Sequence, residues 1–340
     1  MIFMSKRILA AACAAATALA LSACSSTPSS EGNATKDGTL TVMASFYPLQ
    51  YLAEKIGGEH VTVTSLTPAG AEPHDLELSP KTVDALASAD AVVYLAGFQS
   101  AVDEAIEQQA PKTVIDVSPA AELVEANSSA NHPSEDEDAD EAQSGESATE
   151  EHADHDHEGH DHEGHHHDMS ADPHFWLDPV RMASAATLVG DKLAEADPAN
   201  ADTYKANAKA LNEELSALGD DLVAKTATCQ IKTFVTAHTA FGYLADRTGL
   251  TQVGISGLDP DSSPSPARLA EISQIAKDQG VTTIFTEALI DPKVAQTLAD
   301  DLGISTAVLD PIESQTDSSK DYAAVMNDNI DALTKALDCQ

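Results

Sequence analysis

The chain carries 13 histidines, and their placement separates them into two groups. Nine lie between residues 132 and 167, in a tract whose centre reads EEHADHDHEGHDHEGHHHD. The other four, His60, His74, His174 and His238, are far apart in sequence. Neutral imidazole is a nitrogen donor suited to zinc, copper, nickel or iron. In the tract, His152, His155, His157, His160, His162, His165, His166 and His167 alternate with Asp, Glu and Gly. That pattern offers many equivalent weak ligand sets and no fixed geometry. The tract has almost no large apolar residues, so ordering it would not be offset by burial. A mobile auxiliary collector of divalent metal is the expectation. A solvated acidic linker or an expression tag fits less well, because the histidines are interspersed and the tract lies mid-chain.

The isolated histidines acquire meaning from the elements around them. Apolar runs predict strands over residues 40–44, 61–66, 91–95 and 113–117, alternating with helices over 47–56, 79–88 and 101–109. Ser79 and Pro80 read as the N-cap and first residue of one helix. Helical spacing then covers 180–196 and 198–227, the second long enough to span a domain. The alternation resumes with strands at 232–236, 251–255, 282–286 and 306–309, and helices at 240–247, 265–279, 292–302 and 321–337. Alternating strands and helices predict parallel α/β layers, where ligands collect at the carboxyl ends of strands. His74 and His238 fall at such ends, and His174 stands just before a helix. His60, at a helix-to-strand turn, receives no role. Three neutral imidazoles leave a dication's charge unbalanced, so a carboxylate is the expected fourth ligand. Glu287 and Glu313 both follow strands, and spacing does not choose between them.

Five motifs occur in order: PAGAEPHDLELSP, DPHFWLDP, VTAHTAFGYLADRTGL, IFTEALIDPKVAQTLADDLG and VLDPIE. Together they resemble the metal-binding solute-binding proteins of ABC importers, and within them the zinc-specific, ZnuA/AdcA-like branch. The resemblance covers residues 39–338. It implies two α/β lobes joined by one long rigid helix, with the metal in the inter-lobe cleft. It points to His74, His174, His238 and Glu313 as the ligands of Zn2+, and gives Glu287 a bracing role. Manganese and iron branches tend to carry Glu where this chain has His238, and a nitrogen-rich set favours zinc. Some zinc members place Glu directly before the first histidine; here Pro73 stands there and Glu72 one place earlier. The implied partners are an ABC permease and its ATPase, served by a monomer that catalyses no reaction. Manganese or iron binding within the same family is the nearest alternative. A surface zinc hydrolase and a metal-scavenging adhesin are alternatives of other classes, although no HExxH occurs.

The N-terminus reads as a secretion signal: Lys6 and Arg7, an Ala-rich apolar stretch over 8–21, then Leu21-Ser22-Ala23-Cys24. This end resembles a bacterial lipobox, which implies cleavage before Cys24, lipidation of its thiol and an extracytoplasmic, membrane-anchored protein. The organisation expected is a signal over 1–23, a tether over 24–38, and an N-terminal lobe over 39–180 with the acidic loop at 127–170. Linking helices follow over 181–228 and a C-terminal lobe over 229–340. The formal net charge is −38, which argues against nucleic acid as a partner. Cys13 leaves with the signal and Cys24 takes the lipid, so Cys229 and Cys339 remain as a pair, and outside the cytoplasm such a pair is expected to form a disulfide.

Overall fold

The computed structural model describes residues 39–126 and 171–340. The signal, Cys24, the tether and the acidic histidine tract lie outside these residues. Among the described residues no helix is long and apolar enough to cross a membrane.

The first half folds as β1 (Leu40–Ala44), α1 (Tyr47–Gly57), β2 (Val61–Ser65), α2 (Pro80–Leu86), β3 (Ala91–Tyr94), α3 (Ser100–Gln109), β4 (Val114–Asp116) and α4 (Ser118–Ala121). Its four strands form a parallel sheet in the order β2-β1-β3-β4. The inner strands are the most apolar: Val42, Ala44, Val92 and Val93 are buried, because helices cover both faces of a parallel layer. Two long helices follow, α5 (Pro179–Ala196) and α6 (Ala201–Thr226). The second half is β5 (Thr233–Thr236), α7 (Gly242–Thr248), β6 (Thr251–Gly254), α8 (Pro266–Asp278), β7 (Thr283–Thr286), α9 (Lys293–Leu302), β8 (Ser305–Val308) and α10 (Tyr322–Ala336). Its sheet is again parallel, in the order β6-β5-β7-β8. Each half therefore reverses strand order between its first and third strands. That reversal opens a crevice at the carboxyl ends of β1/β3 and of β5/β7.

Local chemistry explains the boundaries. Ser79 caps α2 by accepting from the Thr82 amide, with Pro80 in the first turn. The long helix begins at Ala201 rather than at 198 because Asp197 organises a turn instead. Its carboxylate accepts from Asn200 Nδ2 at 2.7 Å and from the Tyr204 hydroxyl at 2.9 Å. The short helix α4 and a single 3-10 turn over Phe175–Leu177 are too brief for periodicity to announce.

At 26 residues, α6 is roughly 39 Å long. It packs on α1 of the first half, on α7 and α10 of the second, and along α5. Two glycines permit the α5–α6 approach: a Cβ on Gly190 would come within 2.3 Å of Ala208 Cβ, and one on Gly219 within 2.7 Å of Val180 Cγ2. One buried cluster runs through both halves by way of these helices, from Phe46 and Trp176 to Phe241 and Tyr322. The α6 exit is closed by Gln230 and Ile231 amides on the Leu337 carbonyl, and there the structure joins Cys229 to Cys339.

Candidate metal centre

Four donor residues converge where the two sheets present their carboxyl ends. His74 comes from the loop between β2 and α2. His174 precedes the Phe175–Leu177 turn, His238 follows β5 by two residues, and Glu313 follows β8. Their ligand atoms all lie within 4.8 Å of one another. Glu313 Oε1 is 3.4 Å from His74 Nε2, 3.3 Å from His174 Nε2 and 3.4 Å from His238 Nε2. His174 Nε2 is 3.3 Å from His74 Nε2 and 3.4 Å from His238 Nε2. Ligands at about 2.0–2.1 Å from a tetrahedral ion would stand about 3.3–3.4 Å apart along each edge. Five of the six edges have that length. His174, His238 and Glu313 are buried, and the His74 side chain is 5% exposed.

The orientation of two rings is fixed from behind. Asp172 Oδ1 accepts from His174 Nδ1 at 2.8 Å and from its backbone amide at 2.9 Å. Glu287 does the same for His238, with Oε2 2.6 Å from Nδ1 and Oε1 3.0 Å from the amide. A carboxylate only accepts, so each Nδ1 carries the proton and each Nε2 lone pair turns inward. Glu287 thus spends both oxygens on His238, while Glu313 faces all three imidazoles.

The Glu313 loop is held by its own set of bonds. Asn329 accepts from the Asp310 amide at 2.8 Å and donates to the Asp310 carbonyl at 2.6 Å. Trp176 Nε1 donates to the Pro311 carbonyl at 2.7 Å. Ile312 takes φ 57°, a strained conformation for a β-branched residue beside a candidate ligand. Gly70 of the His74 loop donates to Ser314 Oγ at 2.7 Å, which links the two loops across the cleft.

In the metal-free protein, burial opposes charge on His174 and His238, yet Asp172 and Glu287, each with Glu313, hold both above the ordinary histidine pKa. Burial also opposes the Glu313 carboxylate, but hydrogen bonds with the three histidines hold it well below the usual carboxylate range. Glu72, for which sequence assigned no role, accepts from the His74 amide at 2.9 Å and from the Asp75 amide at 3.2 Å. His60 lies away from the cleft, edge-on to Tyr204 at 6.2 Å between centroids. Asp172 is the residue that sequence reasoning missed. The available signal was an acid two residues before a candidate histidine ligand, and it was absorbed into the acidic tract.

Fold and site together define a two-lobed α/β binding protein with a nitrogen-rich donor set in its cleft. The sequence matches the ZnuA family, described as the periplasmic zinc-uptake complex component A, over residues 42–336. It is 34% identical over 307 residues to the zinc-binding protein AdcA of Streptococcus pyogenes, covering 89% of this chain and 57% of that one. Thus the chain spans under three-fifths of the streptococcal AdcA relatives. It is 33% identical over 331 residues to the high-affinity zinc uptake system protein ZnuA of Bacillus subtilis, covering 95% of each. Among solved structures, the AdcAII protein of Streptococcus pneumoniae is 28% identical with TM-score 0.72, covering 89% of this chain and all of that one. Zn(II)-bound AdcA of S. pneumoniae is 30% identical with TM-score 0.68, covering 89% and 59%. The chain belongs to the ZnuA family of solute-binding transport proteins.

Proposed function

We propose that this protein captures Zn2+ outside the cytoplasm and delivers it to an ABC permease for import. The observation that carries the reading is the tetrahedral edge length of 3.3–3.4 Å among His74, His174, His238 and Glu313 donor atoms. Three imidazoles and one carboxylate balance charge and softness for zinc, whereas manganese favours more oxygen. Histidine and carboxylate ligands also suit a cargo site, since protonation or displacement loosens them. Glu313 fills the fourth position, which leaves no open site for an activated water and disfavours the hydrolase reading. The Zn(II)-bound state of the pneumococcal AdcA relative is consistent with this chemistry.

Around this site the remaining parts fall into place. Cys24 carries the lipid that holds the monomer at the outer face of the membrane. His152, His155, His157, His160, His162, His165, His166 and His167 form an auxiliary weak store. The Cys229–Cys339 bond ties the exit of α6 to the chain end. Competition against a chromophoric chelator tests the reading: one tight zinc per chain, with manganese at least tenfold weaker, is the expected result. Tighter manganese than zinc overturns it.

A further inference from the structure

Two buried glutamines reach the backbone of the site from opposite lobes. Gln99, at the N-cap position of α3, donates from Nε2 to Thr67 Oγ1 at 3.1 Å and to the Pro73 carbonyl at 3.0 Å. That carbonyl belongs to the peptide bond entering His74. Gln252, on β6, donates from Nε2 to Thr236 Oγ1 at 2.8 Å and to the carbonyl of His238 itself at 3.0 Å. Each threonine hydroxyl is committed in turn. Thr67 donates to the Ser45 carbonyl at 2.7 Å, and Thr236 to the His238 carbonyl at 2.6 Å. Both glutamines are 3% exposed.

The two arrangements use the same parts but not equivalent places in the fold. In the first lobe Thr67 follows the second strand and Gln99 the third. In the second lobe Thr236 ends the first strand and Gln252 lies on the second. Duplication of a lobe does not explain a shared device built from different strands; the demands of the site do. Gln99 also leaves its buried Oε1 without a hydrogen-bond partner among the described residues. Such an orphan is destabilising, so an apolar side chain would serve packing better. Metal–ligand distances in well-formed sites lie within about 0.2 Å of their standard values, so the backbone that carries a ligand on a loop must be held in place.

We propose that Gln99 and Gln252 are positioning residues for metal capture, each clamping the backbone carbonyl that places one ligand histidine: His74 from one lobe, His238 from the other. The inference rests on the metal reading of the cleft. Its test uses the full chain, with Gln99→Met and Gln252→Met keeping side-chain length and removing both donors. Zinc affinity is measured by chelator competition, and ligand geometry by the visible absorption of the Co2+-loaded protein. Each variant should bind zinc about tenfold more weakly, the low end for residues behind a metal ligand, with an altered Co2+ band. Gln252→Met should add nothing in a His238→Ala background, and Gln99→Met nothing in His74→Ala, as coupling through that ligand requires. Should either Met variant misfold, Thr67→Val or Thr236→Val is read in the same way. Affinities within twofold of the wild type, or losses that persist undiminished in the histidine backgrounds, overturn the inference and leave the metal site standing. A wild-type chain that holds no tight ion, or keeps it in His238→Ala, removes the site reading itself and this inference with it.

Discussion

His174 and His238 are held differently from His74. Each of the first two is fully buried and bonded through Nδ1 and backbone amide to one carboxylate, Asp172 or Glu287. No carboxylate meets His74 Nδ1 among the described residues. Its ring packs edge-on against Phe98 at 4.9 Å between centroids, and its backbone amide is held by Glu72. Two of these histidines are therefore fixed in tautomer and angle by buried charge, and the third by packing and loop geometry. Two histidines are thus tied into the metal-free fold by a carboxylate of their own as well as by Glu313, whereas the His74 ring meets only the shared Glu313 carboxylate at hydrogen-bond distance among the described residues.

The largest expected effect breaks this comparison at its strong side. His174→Ala or His238→Ala removes a ligand and strands a buried carboxylate. Zinc affinity should fall by more than the roughly 10–100-fold that outer-shell losses cost. The metal-free protein should also lose roughly 3–5 kcal/mol, as when one partner of a buried pair is deleted. His74→Ala should weaken zinc comparably while leaving metal-free stability within about 1 kcal/mol of the wild type. Denaturant unfolding in chelator checks this, and equal destabilisation by all three variants would remove the distinction.

One step smaller are the braces. Asp172→Asn and Glu287→Gln should each weaken zinc roughly 10–100-fold, whereas Glu313→Ala should weaken it more than Glu287→Ala. A chelator titration in which Glu287→Ala loses more zinc affinity than Glu313→Ala would overturn Glu313 as the fourth ligand.

Protonation gives a further contrast. The folded pKa values of His174 and His238 are raised above 6.5, so their charged pairs stabilise the metal-free protein fully below the unfolded pKa. That contribution is lost as pH rises through the folded values. The Glu313 pKa is lowered from 4.5, so its contribution is present above that value and lost only as pH falls through the folded one. Metal-free melting temperature should therefore decline as pH rises beyond about 6.5. Zinc affinity should increase over the same range, because binding displaces those protons. Metal-free stability that climbs with pH across this window would contradict the charged-pair account.

The site was partly legible in sequence, and the reason differs by residue. The strands announced themselves as short apolar runs, so the two parallel layers followed from their alternation with helices. His74, His174 and His238 stood out through ordered motifs. Glu287 and Glu313 could not be told apart by spacing, since both follow strands. What separates them is the direction each carboxylate faces, fixed by contacts up to 239 residues apart. Asp172 was invisible because it reads as the last acid of the acidic tract. Gln99 and Gln252 were invisible because a glutamine on a turn or strand carries no chemical signature until its partners are placed.

Smallest at the tight site is the effect of removing residues 131–169. Calorimetry should show fewer weakly held zinc ions per chain and one tight site unchanged, with the weak ones emptying first below about pH 6.5. Loss of the tight site on deletion would show that the tract builds it. Mass spectrometry of the non-reduced protein should show Cys229 and Cys339 in one linked peptide pair.

The most direct measurement is a crystal structure of the protein with zinc bound. The account predicts one ion, four-coordinate, with Nε2 of His74, His174 and His238 at about 2.0–2.1 Å and a Glu313 oxygen at about 2.0–2.2 Å. Asp172 and Glu287 should remain on the Nδ1 atoms behind. An ion bound by Glu287 with Glu313 turned away, or one held mainly by oxygen at six positions, would contradict it.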